Sequence, residues 1–396
     1  MIDPSTFNIL MYSHDTYGLG HIRRTMAIAA QLRRPNVNIL ILTGSPIVGR
    51  FDIPEQIDFV RVPGMIKQAN DQYIPYTIKI DPEHALQIRQ SIIRATAKAF
   101  KPQLFIVDKA PRGLNSEIMP TLRMLRREAP YCRTVLGLRD IMDDAASTVE
   151  DWKSKDIYSV LDKYYSEIWV YGDQKLYDPI IEYQIPEHIS KKIVFTGYIP
   201  RLAKHGTDMR KEQHVNCKER LVVVTTGGGG DGYAVLDTYL RMLEETPPTM
   251  PMRTVMVSGP FMAKSERVAV ACRAKKLGVK FYHFSRQMEN FIAAADLVVS
   301  MGGYNTVCEI LSQHKVSLII PRETPRREQR IRAEVMKKHS LMDFIPWNDL
   351  SPERMRDKLE ELLNNIEPCR SAVNDFALSG LEVMRERLAK FQAEQQ

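Results

Sequence analysis

Three short stretches of this chain combine residue types that can bind and transform a polar ligand. The longest is Ala294-Ala295-Asp296-Leu297-Val298-Val299-Ser300-Met301-Gly302-Gly303-Tyr304-Asn305-Thr306-Val307-Cys308-Glu309-Ile310-Leu311. Leu297, Val298 and Val299 predict a buried parallel strand. Gly302 and Gly303 predict a sharp turn in which the backbone can approach a ligand. From Asn305 the apolar positions Val307, Ile310 and Leu311 recur at helical spacing. The N–H groups of that helix's first turn, with Thr306 among its residues, point back into the turn and attract an anion, most often a phosphate. Glu309 lies too deep to cap the helix, but its carboxylate can accept hydrogen bonds from ligand hydroxyls such as those of a ribose. The plainer alternative is an ordinary strand–turn–helix with a surface glutamate.

The second stretch is Thr226-Gly227-Gly228-Gly229-Gly230-Asp231-Gly232, between a predicted strand and a predicted helix. It lacks the spaced glycines of the dinucleotide fingerprint, and the next strand ends in Ser258-Gly259 rather than an acid. No Gly-Lys-Ser/Thr follows, so it is not a P-loop. What remains is a backbone-lined pocket, with Gly228 and Gly229 closest to a ligand. The third stretch runs from His14 to His21 with Gly18 and Gly20 between. His21 opens a predicted helix near a strand's carboxyl end, and an imidazole there can serve as general base on a hydroxyl. Asp108 and Asp140 close two other predicted strands and can orient that histidine or act as base themselves. A helix cap or surface residue is the blander role for each.

The elements that must position these groups alternate along the whole chain. Strands are predicted at 8–13, 37–43, 59–62, 104–108, 134–138, 168–171 and 193–196, with helices at 22–32, 84–100 and 115–127. On the first helix Ile22, Met26 and Ala29 share a face, and Arg23, Arg24 and Arg33 are expected outside. A second alternation follows, with strands at 221–225, 254–258, 279–284, 297–299 and 317–320. Its helices are expected at 234–243, 263–276, 288–295, 328–339 and 351–364, with a single terminal helix over 371–394. This is the pattern of doubly wound parallel sheets, which bind ligands at strand carboxyl ends. At 396 residues, two domains are expected, namely 1–200, 201–370 and a terminal helix 371–396 packing back over the junction. Residues 64–82, with Met65, Ile66, Tyr73 and Tyr76 beside Lys67 and Lys79, read as irregular: a loop, or a contact for a lipid-linked acceptor.

Composition narrows the classes. Hydrophobic residues make up 44% and charged residues 26%, as in ordinary globular proteins. No apolar run approaches a membrane span, and Met1-Ile2-Asp3-Pro4 lacks the pattern of a signal peptide. The five cysteines are scattered without metal spacing, which suits a reducing compartment. A cytoplasmic location is therefore expected. The net charge of +7 is spread in short clusters, so solvated surface explains it better than nucleic-acid binding, and no nucleic acid is expected.

The stretch 294–311, followed by Ser317-Leu318-Ile319-Ile320-Pro321 and by Glu328-Gln329, resembles the C-terminal half of glycosyltransferase family 28. That family includes the enzyme that adds N-acetylglucosamine to the peptidoglycan lipid intermediate. Gly18-Leu19-Gly20-His21 resembles its glycine-rich acceptor loop, and the run at 227 its first loop in the second domain. The resemblance is strongest over 280–340. It implies a GT-B architecture, two Rossmann-like domains facing a central cleft. It also implies that Gly303 and Thr306 meet a diphosphate, Glu309 the ribose and Gln329 the donor sugar. Phe284 to Met288 would cover the base, and His21 would stand near the acceptor. The chain departs from the family where Arg327 replaces an Asp and Arg332 an Asn. Arg326, Arg327 and Arg330 would bring positive charge for the diphosphate or an acidic sugar, unless they form a solvated helix face.

The reading that follows is inverting transfer of a hexose-type sugar from a nucleotide-diphospho-sugar, UDP-linked, to a hydroxyl acceptor in envelope or polysaccharide synthesis. His21 is the expected base, and no cofactor or metal is expected. A lipid-linked acceptor and peripheral contact with the inner face of an anionic membrane are compatible with it. The alternatives are a GT-B enzyme that is not a transferase, such as a UDP-sugar 2-epimerase or hydrolase, and a non-catalytic nucleotide-sugar-binding protein.

Overall fold

The computed structural model describes residues 6–15, 20–50, 53–69, 72–203 and 208–395. The chain divides into two compact units, one of residues 1–198 and 379–396, the other of residues 199–378.

In the first unit, largely apolar runs form strands that are buried at the centre of the sheet and only partly buried at its edges. They are β1 (Phe7–Tyr12), β2 (Val37–Thr43) and β3 (Ile57–Arg61), then, after a hairpin, β6 (Leu104–Asp108), β7 (Arg133–Arg139), β8 (Glu167–Tyr171) and β9 (Ile193–Phe195). All pair in parallel in the order β3-β2-β1-β6-β7-β8-β9. Helices cover such sheets because parallel neighbours require crossovers. The helix Pro82–Phe100 shows how the local sequence sets one of them. The Asp81 side chain accepts hydrogen bonds from the backbone N–H groups of Glu83 and His84, Pro82 opens the helix, and Lys101 ends it in a left-handed conformation. Its buried positions Ala85, Arg89, Ile93 and Ala97 recur every four residues, so one stripe faces inward.

The segment expected to be irregular instead contains an antiparallel pair, β4 (Met65–Ala69) with β5 (Gln72–Pro75). Met65 is buried against Ala85 and Leu114, with Tyr73 packed alongside, and this anchors the hairpin. The predicted helix at 115–127 starts later, at Met119, because Asn115 and Ser116 take positive φ in a short turn. The single terminal helix is two helices, Glu367–Asp375 and Gly380–Ala393. At the break, the N–H of Gly380 donates to the Tyr198 carbonyl, and a Cβ at Gly380 would lie 2.5 Å from that oxygen. The second of these helices belongs to the first unit, where Arg387 pairs with Glu167.

The second unit repeats the plan. Strands β10 (Arg220–Thr225), β11 (Met252–Val257), β12 (Lys280–Tyr282), β13 (Leu297–Ser300), β14 (Val316–Ile319) and β15 (Asp343–Phe344) pair in parallel in the order β12-β11-β10-β13-β14-β15. Val222, Val224, Leu297, Val299 and Leu318 join Leu236, Tyr239 and Leu359 in its core. In both sheets strand order reverses beside the first strand, between β1 and β6 and between β10 and β13. That is the point at which open α/β sheets receive ligands.

Candidate functional site

Each reversal point carries candidate residues, and the two are chemically unlike. In the first unit β1 ends at Tyr12, and the helix Gly20–Leu32 brings His21 to the carboxyl end of β6. There His21 Nδ1 lies 2.5 Å from Asp108 Oδ2, joining residues 87 positions apart. Arg24, one helical turn beyond His21, donates to Asp108 Oδ1 from Nη2 at 2.6 Å and from Nε at 3.0 Å. Its guanidinium stands over the Tyr171 ring, for which Gly137 on the neighbouring strand leaves the room.

Arg24 is 3% exposed, not on the outer face expected for it. The Asp108 carboxylate compensates its desolvation, which a surface reading of the helix could not foresee. The arginine in turn holds Asp108 well below the usual carboxylate range against the opposing effect of burial. His21, with a side chain 15% exposed, is depressed to about 4 by burial, with Asp108 pulling the other way. The imidazole is therefore neutral at pH 7. With Nδ1–H directed at Asp108, its lone pair is on Nε2, the state a general base requires.

Behind this pair lies a second buried web. His14 packs edge-on to His21 with ring centroids 5.7 Å apart, and its Nδ1 is 3.4 Å from the Tyr12 hydroxyl. Tyr12 donates to Glu117 at 2.6 Å. Arg89 and Glu117, 1% and 0% exposed, form a two-pronged ion pair. Asp15 accepts from the Thr43 hydroxyl, and burial raises its carboxyl to about 6. The sequence pattern pointed to no site role for Arg24, Asp15, Arg89 or Glu117. For Arg24 the only sequence signal was its place three residues after His21. Gly20 is the first residue of the helix that carries His21, and Gly18 lies outside the described residues. Asp140 accepts from the Tyr198 hydroxyl.

In the second unit the site is built from backbone. Gly302 follows β13 with φ +74, and a Cβ there would lie 2.7 Å from Ile319 Cγ2, so only glycine fits without displacement. Gly303 precedes the helix Tyr304–Ser312 with no side-chain cap, and a Cβ on it would meet nothing within 4 Å. Asn305 and Thr306 are half-buried in the helix's first turn. The glycine run after β10 comes up beside them. A Cβ on Gly227 would lie 3.5 Å from Thr306 Oγ1, and one on Gly229 would lie 2.0 Å from the Ser258 carbonyl oxygen. Gly228 is exposed above Phe261, whose N–H donates to the Gly228 carbonyl.

Glu309 is buried on the same helix, deeper than a surface glutamate. Gln329 is the second residue of the helix Glu328–Lys338 and accepts from the Arg322 N–H at 2.9 Å. Phe284 and Met288 part company: the phenyl ring is 43% exposed, whereas Met288 is buried in the unit's interior and presents no side chain to solvent. Arg330 is engaged by Glu334 and Glu323 and lies over the Phe344 ring, so its charge is internally balanced. Arg332 is buried and donates to the Gly302 carbonyl at 3.3 Å, bracing the turn from behind. Among the described residues there is no cluster of three or more His, Cys, Asp or Glu placed to hold a metal ion. Nor, among them, is there a helix long and apolar enough to cross a membrane.

Comparison with known proteins bears on this geometry. Residues 253–386 match the glycosyltransferase family 28 C-terminal domain. One similar protein is the UDP-N-acetylglucosamine–N-acetylmuramyl-(pentapeptide) pyrophosphoryl-undecaprenol N-acetylglucosamine transferase of Alkaliphilus oremlandii. It is 24% identical over 147 residues, covering 37% of this chain and 40% of that protein. The enzyme of the same name from Clostridium kluyveri is 33% identical over 86 residues, 21% of this chain and 24% of that one. The chain thus spans less than half the length of these curated relatives.

Solved structures match over nearly all of it. Acinetobacter baumannii MurG aligns with a TM-score of 0.63 at 12% identity, covering 97% of this chain and 99% of that one. The calicheamicin glycosyltransferase CalG4 aligns at 0.64 and 15%, covering 98% of each. LpCGTa, solved in complex with UDP, aligns at 0.67 and 13%, covering 98% of this chain and 99% of that one. The fold is that of GT-B glycosyltransferases.

Proposed function

We propose that the protein is an inverting glycosyltransferase that moves a hexose-type sugar from a nucleotide-diphospho-sugar, UDP-linked, to a hydroxyl acceptor. The observation that carries this reading is the contact of His21, neutral at pH 7, with Asp108 at the reversal point of the first sheet. The acceptor hydroxyl gives its proton to His21 Nε2 as its oxygen forms a bond to the anomeric carbon. The bond from that carbon to the diphosphate breaks on the opposite face, and the electron pair leaves with the nucleotide diphosphate. Asp108 holds the imidazole in the right tautomer and stabilises the imidazolium that forms. The developing negative charge on the diphosphate is met by N–H groups from Gly303 to Thr306 and by the helix end. Glu309 is the group for the ribose and Gln329 the group for the sugar.

A lipid-linked acceptor at an anionic membrane suits the segment after β5. Tyr76, Ile78 and Ile80 are exposed beside Lys79, and Ile88 stands exposed on the next helix. Apolar side chains next to a cation are what an interfacial contact requires. Co-sedimentation with anionic but not neutral vesicles is expected, and failure to bind either would leave a water-soluble acceptor.

The central test is a thermal-shift screen with UDP-, dTDP- and GDP-sugars. A rise in melting temperature with one nucleotide class is expected, and no shift with any of them would remove the donor from this reading.

A further inference from the structure

One imidazole beside His21 takes no part in the reaction above. His14 lies just past the end of β1, is 7% exposed, and packs edge-on to the His21 ring with centroids 5.7 Å apart. Its tautomer follows from its neighbours. Arg89 binds both oxygens of Glu117, through Nε at 2.5 Å and Nη2 at 2.6 Å, so that carboxylate is ionised and only accepts. Tyr12 has one hydroxyl proton and gives it to Glu117 at 2.6 Å. The Tyr12 oxygen also accepts from the Leu114 N–H at 3.1 Å. It therefore has no proton left for His14 Nδ1, 3.4 Å away, and the proton between them belongs to Nδ1. Burial pushes the His14 pKa well below its ordinary value, with His21 and Lys109 acting in the same direction, so the ring is neutral at pH 7. A neutral ring protonated on Nδ1 carries its lone pair on Nε2.

His21 is in the same state, with Nδ1–H directed at Asp108 and the lone pair on Nε2. Both rings thus turn Nδ1 into the protein. Among the described residues, none hydrogen-bonds to either Nε2. The strand end is short of donors elsewhere too, since Asp15 Oδ1 is buried there without a hydrogen-bond partner among the described residues. A hydroxyl has a single proton. Once an acceptor hydroxyl commits its proton to His21, the lone pair of His14 requires a second donor. Rings 5.7 Å apart are close enough for one small molecule to meet both.

We infer that His14 is an acceptor-binding residue, its Nε2 taking a hydrogen bond from a second donor group, hydroxyl or amine, on a carbon neighbouring the reacting hydroxyl. The acceptor is then a vicinal diol or amino alcohol rather than a lone alcohol or phenol. The inference rests on the reading of His21 as base and deepens it.

NMR of the full chain labelled with 15N-histidine tests it, with cis-1,2-cyclohexanediol, cis-2-aminocyclohexanol and cyclohexanol as probes. His14→Phe and His21→Ala assign the two rings by loss of their signals. His14 is expected to carry its proton on Nδ1. The diol or the amino alcohol is expected to shift both Nε2 signals and to bind about tenfold more tightly than cyclohexanol, the worth of one hydrogen bond. Tighter binding of the diol identifies the second group as a hydroxyl, and tighter binding of the amino alcohol as an amine. His14→Phe keeps a ring against His21 but has no lone pair, and it is expected to abolish the preference while cyclohexanol binds as before. A proton on His14 Nε2 would overturn the inference and leave His21 as base. So would equal binding of all three probes, or a preference that survives His14→Phe. No response of His21 to any probe would overturn the acceptor site itself and the inference with it.

Discussion

The two units share one topology and use it in opposite ways. At the reversal point of the first sheet, the candidate groups are hydrogen-bonded side chains: His21, Asp108, Arg24, and behind them Tyr12, Glu117 and Arg89. At the reversal point of the second, the candidate surface is backbone, with no side chains at Gly227, Gly229, Gly302 and Gly303. A titratable site needs a low dielectric and fixed partners, so it is embedded and electrostatically costly. An anion site needs only uncapped N–H groups and room, so it can sit at a helix end. Under the proposed function, the same strand order would serve proton transfer in one unit and charge stabilisation in the other.

This contrast predicts which substitutions uncouple binding from turnover. His21→Ala should reduce turnover by roughly 10²–10⁴-fold, measured as nucleotide diphosphate released from the donor, while donor affinity by titration stays unchanged. A parallel loss of donor affinity would show that the first unit holds the nucleotide too. Arg89→Met should be the severest test of the buried web. It leaves Glu117 charged at 0% exposure, and chemical denaturation should register a loss of about 3–5 kcal/mol. A loss under 1 kcal/mol would mean that the Glu117 charge is not truly sequestered.

In the second unit the expected effects are backbone effects. Gly229→Ala puts a Cβ 2.0 Å from a carbonyl oxygen at φ +87, so stability should fall by about 1–3 kcal/mol and nucleotide affinity with it. Gly303→Ala meets nothing within 4 Å at an ordinary φ of −60. Its melting temperature should barely move, with stability changing by less than about 0.5 kcal/mol, while UDP affinity drops about tenfold because the methyl group occupies the space of the phosphate. Unchanged affinity in Gly303→Ala would place the diphosphate elsewhere.

The smallest effect is in the pH profile. A base works in its neutral form, and burial lowers His21 from its ordinary value of 6.5 to about 4. Its neutral fraction therefore stays near one as pH falls from 8 to 6 and declines only as pH approaches 4. The profile of kcat/KM should be flat over the first interval and fall below about pH 5. An inflection near 6.5 would indicate an imidazole exposed to water.

The strand–helix alternation was legible because it is written in local runs. Leu104-Phe105-Ile106-Val107-Asp108 can hardly be anything but a buried strand, and β6 covers those five residues. The turn at Gly302-Gly303 was equally legible, since two glycines between a strand and a helix leave few options. The β4–β5 hairpin was not, because its ordering comes from Met65 packing on Ala85 and Leu114 rather than from its own alternation. Nor was the two-residue strand β15, which is too short for any period to declare it. The break before Gly380 depends on a backbone contact with Tyr198, 182 positions away.

Sequence by itself determined the repeated α/β plan, the glycine turns and the pairing of His21 with some strand-end acid as a candidate. Apolar periodicity and turn chemistry act over a few residues, and one chain displays them in full. Only the tertiary structure decided that the acid is Asp108 rather than Asp140, and that Arg24, Arg89 and Arg332 lie inside. It alone fixed the direction in which Gln329 turns its amide. An arginine reads as surface until the group that offsets its desolvation is located, and for Arg24 that group is Asp108, 84 positions along the chain.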